Sequence, residues 1–204
     1  MRAVAAVLLD MDGTLVDSDA AVDRAWTTWS HEYGVDPRDA DAVAHGRPAD
    51  GTVRILRPDL DEAAVAVAAD RQLELQYTDL SDVVAARGAD ELLAVLGRRK
   101  IPWAVVTSAD RRLAAARLGA AGIDPPELVT VEDVTHGKPD PEPFLLGASR
   151  LGVAPRDCLV VEDAPAGLDA GRAAGMATAA LRGLDGDLRL GDLGDLARFL
   201  DRPG

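Results

Sequence analysis

The sequence predicts an α/β protein built on a doubly wound parallel sheet, with a small helical domain inserted into it. Short β-rich runs alternate with helical stretches along most of the chain, which is the order that parallel sheets require. Several helical stretches end at a glycine, the residue that most often terminates a helix. One long segment, residues 18–82, breaks the alternation because its pattern is helical and contains no convincing strand.

Five short apolar runs have the length and composition of buried strands. These predicted strands cover residues 4–9, 101–107, 128–131, 159–161 and 177–181. Helical periodicity lies between and after them, at residues 89–96, 110–118, 141–151, 165–174 and, as a short final helix, near 195–200.

The segment 18–82 is predicted to form a separate helical domain. Three aromatic residues fall on one helical stripe within it, Trp26, Trp29 and Tyr33. The remaining residues, 1–17 and 83–204, are then expected to form the domain that contains the sheet.

Composition restricts the possible partners and location of the protein. The chain has 204 residues, 48% of them hydrophobic, and a formal net charge of −13, which argues against nucleic-acid or anionic-membrane binding. The single cysteine, Cys158, excludes an internal disulfide and fits a reducing compartment. The apolar N-terminal run ends in acid without a cleavage site, and no later run approaches the ~20 residues that cross a bilayer. We expect a soluble, cytoplasmic protein that binds a small molecule. We expect it to be a monomer, with a dimer as the alternative.

Two acidic residues, Asp10 and Asp12, follow the first predicted strand at a glycine turn. Strand side chains repeat with period two, so both carboxylates are expected to point toward the same space and to repel each other. Such a pair is stable when a cation sits between the carboxylates or when one of them holds a proton. Either arrangement suits acid–base or nucleophilic chemistry.

Polar residues also follow the later strands. Ligands bind open parallel sheets beyond the carboxyl ends of their strands, so these residues are expected to converge with the acid pair. They are Thr107, Ser108, Lys138, Glu162 and Asp163. Carboxylates and hydroxyls suit Mg²⁺, which prefers oxygen ligands and commonly bridges to a phosphate, and a lysine supplies a positive charge for that phosphate.

Each of these groups also has a purely structural interpretation. The acid pair could stabilise a turn, and the hydroxyl and acidic pairs could cap the helices that follow them. Lys138 could be a solvated loop residue, although it is one of only two lysines in the chain. The coincidence of four polar sets at strand ends favours a functional site. A P-loop is excluded because Glu132 and Pro139 occupy positions that require a glycine and a hydroxyl.

Four motifs, in this order, resemble those of the haloacid dehalogenase superfamily. They are Asp10-Met-Asp-Gly-Thr, Val105-Val-Thr-Ser, Gly137-Lys-Pro-Asp-Pro and Val160-Val-Glu-Asp-Ala-Pro-Ala-Gly. The resemblance spans residues 4–181 and implies a Rossmann-like core, with the helical insertion as the small cap of subfamily I. Within the superfamily, the sequence is most similar to sugar-phosphate and polyol-phosphate phosphatases. The resemblance therefore implies a phosphoric monoester hydrolase that acts on a small phosphorylated metabolite.

The resemblance also implies roles for the strand-end residues. Asp10 is the expected nucleophile, which forms an aspartyl phosphate, and Asp12 is the expected proton donor and acceptor. Mg²⁺ is expected on Asp10, the backbone carbonyl of Asp12 and Asp163, with Glu162 as a further ligand or as a neighbour of the ligands. The transferred phosphoryl oxygens are expected to contact three side chains, those of Thr107, Ser108 and Lys138.

The helical insertion is expected to select the substrate by closing over the site. His45, Arg47 and Arg54 are the candidates for this selection, although the segment around His45 could be merely a turn. Two alternative functions stay open. One is a phosphoglucomutase-like enzyme, which returns the phosphoryl group to its substrate. The other is a non-enzymatic, phospho-accepting receiver domain, whose motif order and shorter chain fit poorly.

Overall fold

The computed structural model describes residues 4–44 and 48–202, and it confirms the predicted α/β class. The strands are β1 (Ala6–Leu9), β2 (Val16–Asp17), β3 (Val84–Ala85), β4 (Trp103–Val106), β5 (Leu128–Val129), β6 (Cys158–Glu162), β7 (Ala177–Ala180) and β8 (Leu188–Arg189). The α-helices are α1 (Asp19–Tyr33), α2 (Pro37–Ala44), α3 (Ala49–Leu56), α4 (Glu62–Gln76), α5 (Ala89–Arg99), α6 (Arg111–Ala120), α7 (Glu142–Leu151), α8 (Pro165–Ala173) and α9 (Leu193–Leu200).

Six of these strands form one parallel sheet in the order β5-β4-β1-β6-β7-β8. The first strand lies in the middle, and its last residue, Leu9, is level with Val105 of β4 and Val161 of β6. The loops that follow these three strands therefore leave the sheet side by side at one edge. This register places the predicted strand-end residues within reach of one another.

The central strand is buried on both faces of the sheet. Side chains alternate along it, so Val7 and Leu9 join one apolar cluster, while Ala6 and Leu8 join the cluster on the opposite face. All four are fully buried. Continuous burial explains why this segment is uniformly apolar up to the acid pair.

All five predicted strands of the sheet are present, with ends that shift by at most two residues. The sequence prediction missed β2, β3 and β8, each of which has only two residues. A pair of residues is too short to produce a recognisable period-two pattern, and β5, which is equally short, was predicted as part of the longer run 128–131.

Helices α1 to α4 lie between β2 and β3, and they share an apolar cluster of their own. Trp29 is fully buried in this cluster, stacks on Tyr33 at a centroid distance of 4.6 Å, and donates from Nε1 to the Ala68 carbonyl over 2.8 Å. The short antiparallel pairing of β2 with β3 brings the two ends of the insertion together. The division at residues 18 and 82 into two domains stays a prediction.

None of the helices in the described part of the chain combines the length and the apolar character needed to span a bilayer.

The core packing predicts the effect of shortening Leu8. Leu8→Ala should lower the free energy of unfolding by about 2–5 kcal/mol, because it removes a fully buried side chain and leaves a cavity. Leu145→Ala is the matched control, since Leu145 lies in α7 but is 39% exposed, and it should cost less than about 1 kcal/mol. Urea unfolding followed by circular dichroism measures both. Equal losses would contradict the assignment of Leu8 to the core.

Candidate active site

A pocket opens at the carboxyl edge of the sheet, beneath the helical insertion. The side facing the sheet carries the predicted strand-end residues, which the structure brings together: Asp10, Asp12, Thr107, Ser108, Lys138, Glu162 and Asp163. The insertion contributes mainly apolar residues to the opposite side, among them Val22 and Trp26 of α1 and Leu73 of α4. The pocket is thus charged at the sheet and largely apolar at the insertion.

Lys138 lies at the centre of the charged side. Its ammonium group donates to Asp10 Oδ1 over 2.5 Å, to Glu162 Oε1 over 2.6 Å and to the Val106 carbonyl over 2.9 Å. These three bonds use all the protons of the ammonium, and only 3% of the side chain is exposed. The alternative interpretation of Lys138 as a solvated loop lysine is therefore wrong.

The carboxylates buried near Lys138 carry more negative charge than its ammonium group neutralises. Desolvation, together with the charge of the nearby Glu162, outweighs the opposing effect of Lys138 and raises the pKa of Asp10 to about 7. Burial, together with the charge of Asp10, raises the pKa of Asp163 to about 6. Burial lowers the pKa of Lys138, but attraction to Asp10 and Glu162 outweighs this and raises it. A further cation would relieve the excess negative charge.

A group of three carboxylates fits a divalent cation. Oxygen atoms of Asp10, Glu162 and Asp163 all lie within 4.8 Å of one another. Hard oxygen ligands of this kind suit Mg²⁺. These carboxylates are buried and repel one another, so a cation would stabilise them more than water molecules in the same place would. The residues present therefore fit a metal site.

Glu162 differs from the other two carboxylates in its hydrogen bonds. Its Oε1 accepts from Lys138, and its Oε2 accepts from the backbone amides of Asp163 and Ala164 over 3.1 and 3.2 Å. With 1% of the residue exposed, Glu162 is held firmly behind the site. The structure thus gives it a role in orienting Lys138 and the loop that carries Asp163.

Asp12 is not part of the group of three carboxylates and has partners of its own. Its Oδ1 accepts from the Ser18 hydroxyl over 2.6 Å, and its Oδ2 lies 2.5 Å from the Arg117 guanidinium. The sequence predicted that a shared cation or a proton relieves the repulsion between the acid pair. The structure adds a buried cationic side chain for each carboxylate, Lys138 for Asp10 and Arg117 for Asp12, and the shared cation or proton stays a prediction.

Thr107 and Ser108 follow β4 at the pocket. The Thr107 hydroxyl accepts from the Ala109 amide over 3.0 Å, so this residue does take part in the local turn. Its own proton can still be donated to a ligand, because a hydroxyl both donates and accepts. The cap of α6 is supplied instead by Asp110, whose carboxylate accepts from the Leu113 amide over 2.8 Å.

Two glycines leave space for the acidic side chains. Gly13 has a φ of +77°, and a Cβ at this position would overlap the Asp163 carboxylate. A Cβ on Gly167 would overlap the Glu162 carboxylate. The backbone of the first motif and the start of α8 can therefore approach these acids only because both residues lack a side chain.

The structure does not bring Arg54 to the pocket. Arg54 lies on α3 with 46% of its side chain exposed, where it pairs with Asp50 at 2.5 Å and with Glu62 at 2.9 Å. These local acids, which the sequence analysis did not consider, hold the guanidinium outside the site. The other two predicted selectivity residues, His45 and Arg47, lie outside the described residues.

The sequence analysis also missed Arg117, Gln76 and Arg182. Arg117 and Gln76 line the pocket, and Arg182 pairs with the Asp163 carboxylate at 2.8 Å. One signal was available for Arg117, because it occupies an apolar stripe position on α6, between Ala114 and Leu118. A charged residue in a buried helical stripe indicates a buried partner.

Comparison with known proteins identifies the family. A family model described as haloacid dehalogenase-like hydrolase matches residues 4–175. The chain belongs to this family, so it is a hydrolase, and the resemblance stated from the four motifs is confirmed. The receiver-domain alternative is thereby excluded.

Individual relatives refine this picture. Hexitol phosphatase A of Escherichia coli (strain K12) is 45% identical over 169 residues, which cover 82% of this chain and 78% of that protein. Validoxylamine A 7'-phosphate phosphatase of Streptomyces hygroscopicus subsp. limoneus is 37% identical over 180 residues, covering 83% and 81%. The crystal structure of a hydrolase from Pseudomonas syringae matches with a TM-score of 0.87 at 25% identity, covering 97% of this chain and 98% of that one. The named relatives are phosphatases, which is the predicted enzyme class.

The raised carboxylate pKa values predict how metal binding depends on pH. At pH 8 Asp10 and Asp163 are ionised, whereas at pH 5 both hold protons that a metal ion must displace. Mg²⁺ at ten times its Kd should therefore raise Tm by roughly 3–5 °C at pH 8, and clearly less at pH 5. Thermal unfolding with Mg²⁺ or with a chelator measures this.

Asp163→Asn should remove most of the Mg²⁺-dependent increase in Tm. Asp90→Asn, an exposed acid on α5, is the matched control and should leave the increase unchanged. An increase of the same size at both pH values, or one that survives in Asp163→Asn, would contradict the assignment of the metal site.

Proposed function

We propose that this hydrolase removes phosphate from small phosphorylated sugars or polyols, with Mg²⁺ as its cofactor. The observation that carries the proposal is the fixed carboxylate of Asp10. Lys138 holds it at the pocket, and a second carboxylate, Asp12, lies two residues away with a separate partner. One acid is thus placed to attack and the other to move protons.

Asp10 is the proposed nucleophile. A carboxylate oxygen of Asp10 attacks phosphorus, the bond from phosphorus to the substrate oxygen breaks, and an aspartyl phosphate forms. Lys138 fixes the direction of attack through its 2.5 Å bond to Oδ1 and is a counter-charge for the phosphoryl oxygens. Thr107 and Ser108 supply hydroxyl donors beside it.

Asp12 is the proposed proton carrier for both steps. In the first step a proton passes from its carboxyl group to the alcohol oxygen that leaves phosphorus. In the second step Asp12 takes a proton from water while the water oxygen attacks phosphorus, which releases inorganic phosphate and restores Asp10. Mg²⁺, held by Asp10 and Asp163 beside Glu162, would neutralise negative charge on the phosphoryl group.

The substrate class is inferred from the relatives and from the pocket. One relative is named for hexitols and the other for a phosphorylated validoxylamine. The pocket is consistent with a polyhydroxylated chain, because Gln76 and Ser18 offer hydrogen bonds between apolar surfaces such as Trp26 and Leu113. A phosphosugar mutase would use the same first step, but no observation favours it over hydrolysis.

Asp10→Asn should lower phosphatase activity by at least about 10³-fold, because an amide is a poor nucleophile. Folding should persist, since Lys138 keeps Glu162 and the Val106 carbonyl as partners. Release of inorganic phosphate from hexitol, hexose and glycerol phosphates, measured with Mg²⁺, tests the variant, and Asp90→Asn is the control.

The same panel distinguishes hydrolysis from mutase activity. Chromatography should show free alcohol and phosphate in equal amounts. Conversion of a sugar phosphate into its isomer without phosphate release would instead establish the mutase. Wild-type activity in Asp10→Asn would refute the nucleophile.

A further inference from the structure

Arg117 is an arginine buried where an apolar residue is expected. It lies on the inward stripe of α6 with Leu113, Ala114 and Leu118, and the residue is only 2% exposed. Its Nη1 pairs with Asp12 Oδ2 at 2.5 Å and its Nη2 donates to Gln76 Oε1, while Nε is buried with no hydrogen-bond partner. Burying a guanidinium with one unsatisfied N–H is unfavourable for stability. The arginine therefore calls for a functional explanation.

The carboxylate of Asp12 is held from two elements. Ser18, at the start of α1, holds one oxygen, and Arg117, on α6, holds the other. Each carboxylate oxygen has two acceptor positions, so each keeps one position for a substrate or water proton. The two bonds fix the plane of the carboxylate, and they leave a position on each oxygen for proton transfer.

Gln76 connects this arrangement to the helical insertion. It is the last residue of α4, and its Nε2 donates to Gln72 Oε1 over 2.5 Å, one turn earlier in the same helix. The next residue, Tyr77, donates from its hydroxyl to Asp110 over 2.6 Å, and Arg112 lies 4.1 Å from the centroid of its ring. The end of α4 therefore rests on α6.

We propose that Arg117 is a positioning residue, which orients the Asp12 carboxylate toward the leaving-group oxygen. Gln76 bonds to Arg117 from α4, so the orientation of Asp12 depends on the contact between α4 and α6. The substrate enters between the insertion and the sheet. Full proton-transfer geometry is then reached only when the insertion rests on the core. This inference rests on the proposed function, since it assigns a partner to the proposed proton carrier.

Two esters with different leaving groups test the role of Arg117. A polyol phosphate leaves as an alcohol and needs a proton, whereas 4-nitrophenyl phosphate leaves as a stable anion and does not. Arg117→Met should lower kcat for the polyol phosphate by roughly 100-fold, with KM changed less than about 3-fold. In a rapid-mixing experiment, the rate at which Arg117→Met releases 4-nitrophenolate in the first turnover should stay within about 3-fold of the wild-type rate.

Three further variants complete the experiment. Arg117→Lys keeps the charge and should recover at least about 5-fold of the lost kcat, and it remains informative if the methionine variant does not fold. Gln76→Ala should lower kcat for the polyol phosphate by about 3–10-fold, again without affecting the first turnover of the nitrophenyl ester. Arg111→Met is the matched control, because it removes an exposed cation of the same helix that pairs with Asp133 and contacts neither Asp12 nor the end of α4, and it should preserve kcat.

The possible results are separable. Equal losses on both esters would show a general structural role and overturn the proposal, and a rise confined to KM would make Arg117 a substrate-binding residue instead. Unchanged kcat in Gln76→Ala would remove the link to the insertion. Wild-type protein that hydrolyses neither ester would refute the proposed function itself, a result that is independent of every variant.

Discussion

The structure of the site depends on the buried ammonium of Lys138. It joins the ends of β1, β4 and β6 by bonding to Asp10, the Val106 carbonyl and Glu162. Lys138 and Arg182, which pairs with Asp163, do not offset the three carboxylates here, and burial still raises the pKa values of Asp10 and Asp163. A divalent cation at the three carboxylates would supply the positive charge that these residues lack.

The acid pair shows how two similar residues acquire different roles. Asp10 and Asp12 are separated by one residue, but Asp10 faces a lysine within the sheet edge, and Asp12 faces an arginine at the boundary with the insertion. The ammonium of Lys138 fixes one oxygen of Asp10 at the pocket, which suits the proposed nucleophile. Arg117 and Ser18 each hold one oxygen of Asp12 and together fix the orientation of its carboxylate, which suits the proposed proton carrier. The proposed division of roles between the two acids follows from these partners.

Much of the site could be predicted from the sequence because a parallel sheet fixes where strand ends meet. Asp10, Lys138 and Asp163 are far apart in the chain, but each lies beyond a recognisable apolar strand or in a distinctive loop. The partners of Arg117 could not be predicted, since they depend on how α6 packs against both the first motif and the insertion. The position of Arg54 outside the pocket has a related reason, because sequence spacing does not reveal which neighbouring acids pair with a guanidinium.

The antiparallel contact between β2 and β3 has a consequence for how this protein can change over evolution. Val16 and Ala85 are neighbours in space, so the insertion begins and ends at nearly the same point. Helices can be lengthened, replaced or added between these residues without moving the strand that precedes Asp10. Changes in one continuous stretch of the gene can therefore reshape the pocket wall contributed by the insertion and leave the sheet edge in place.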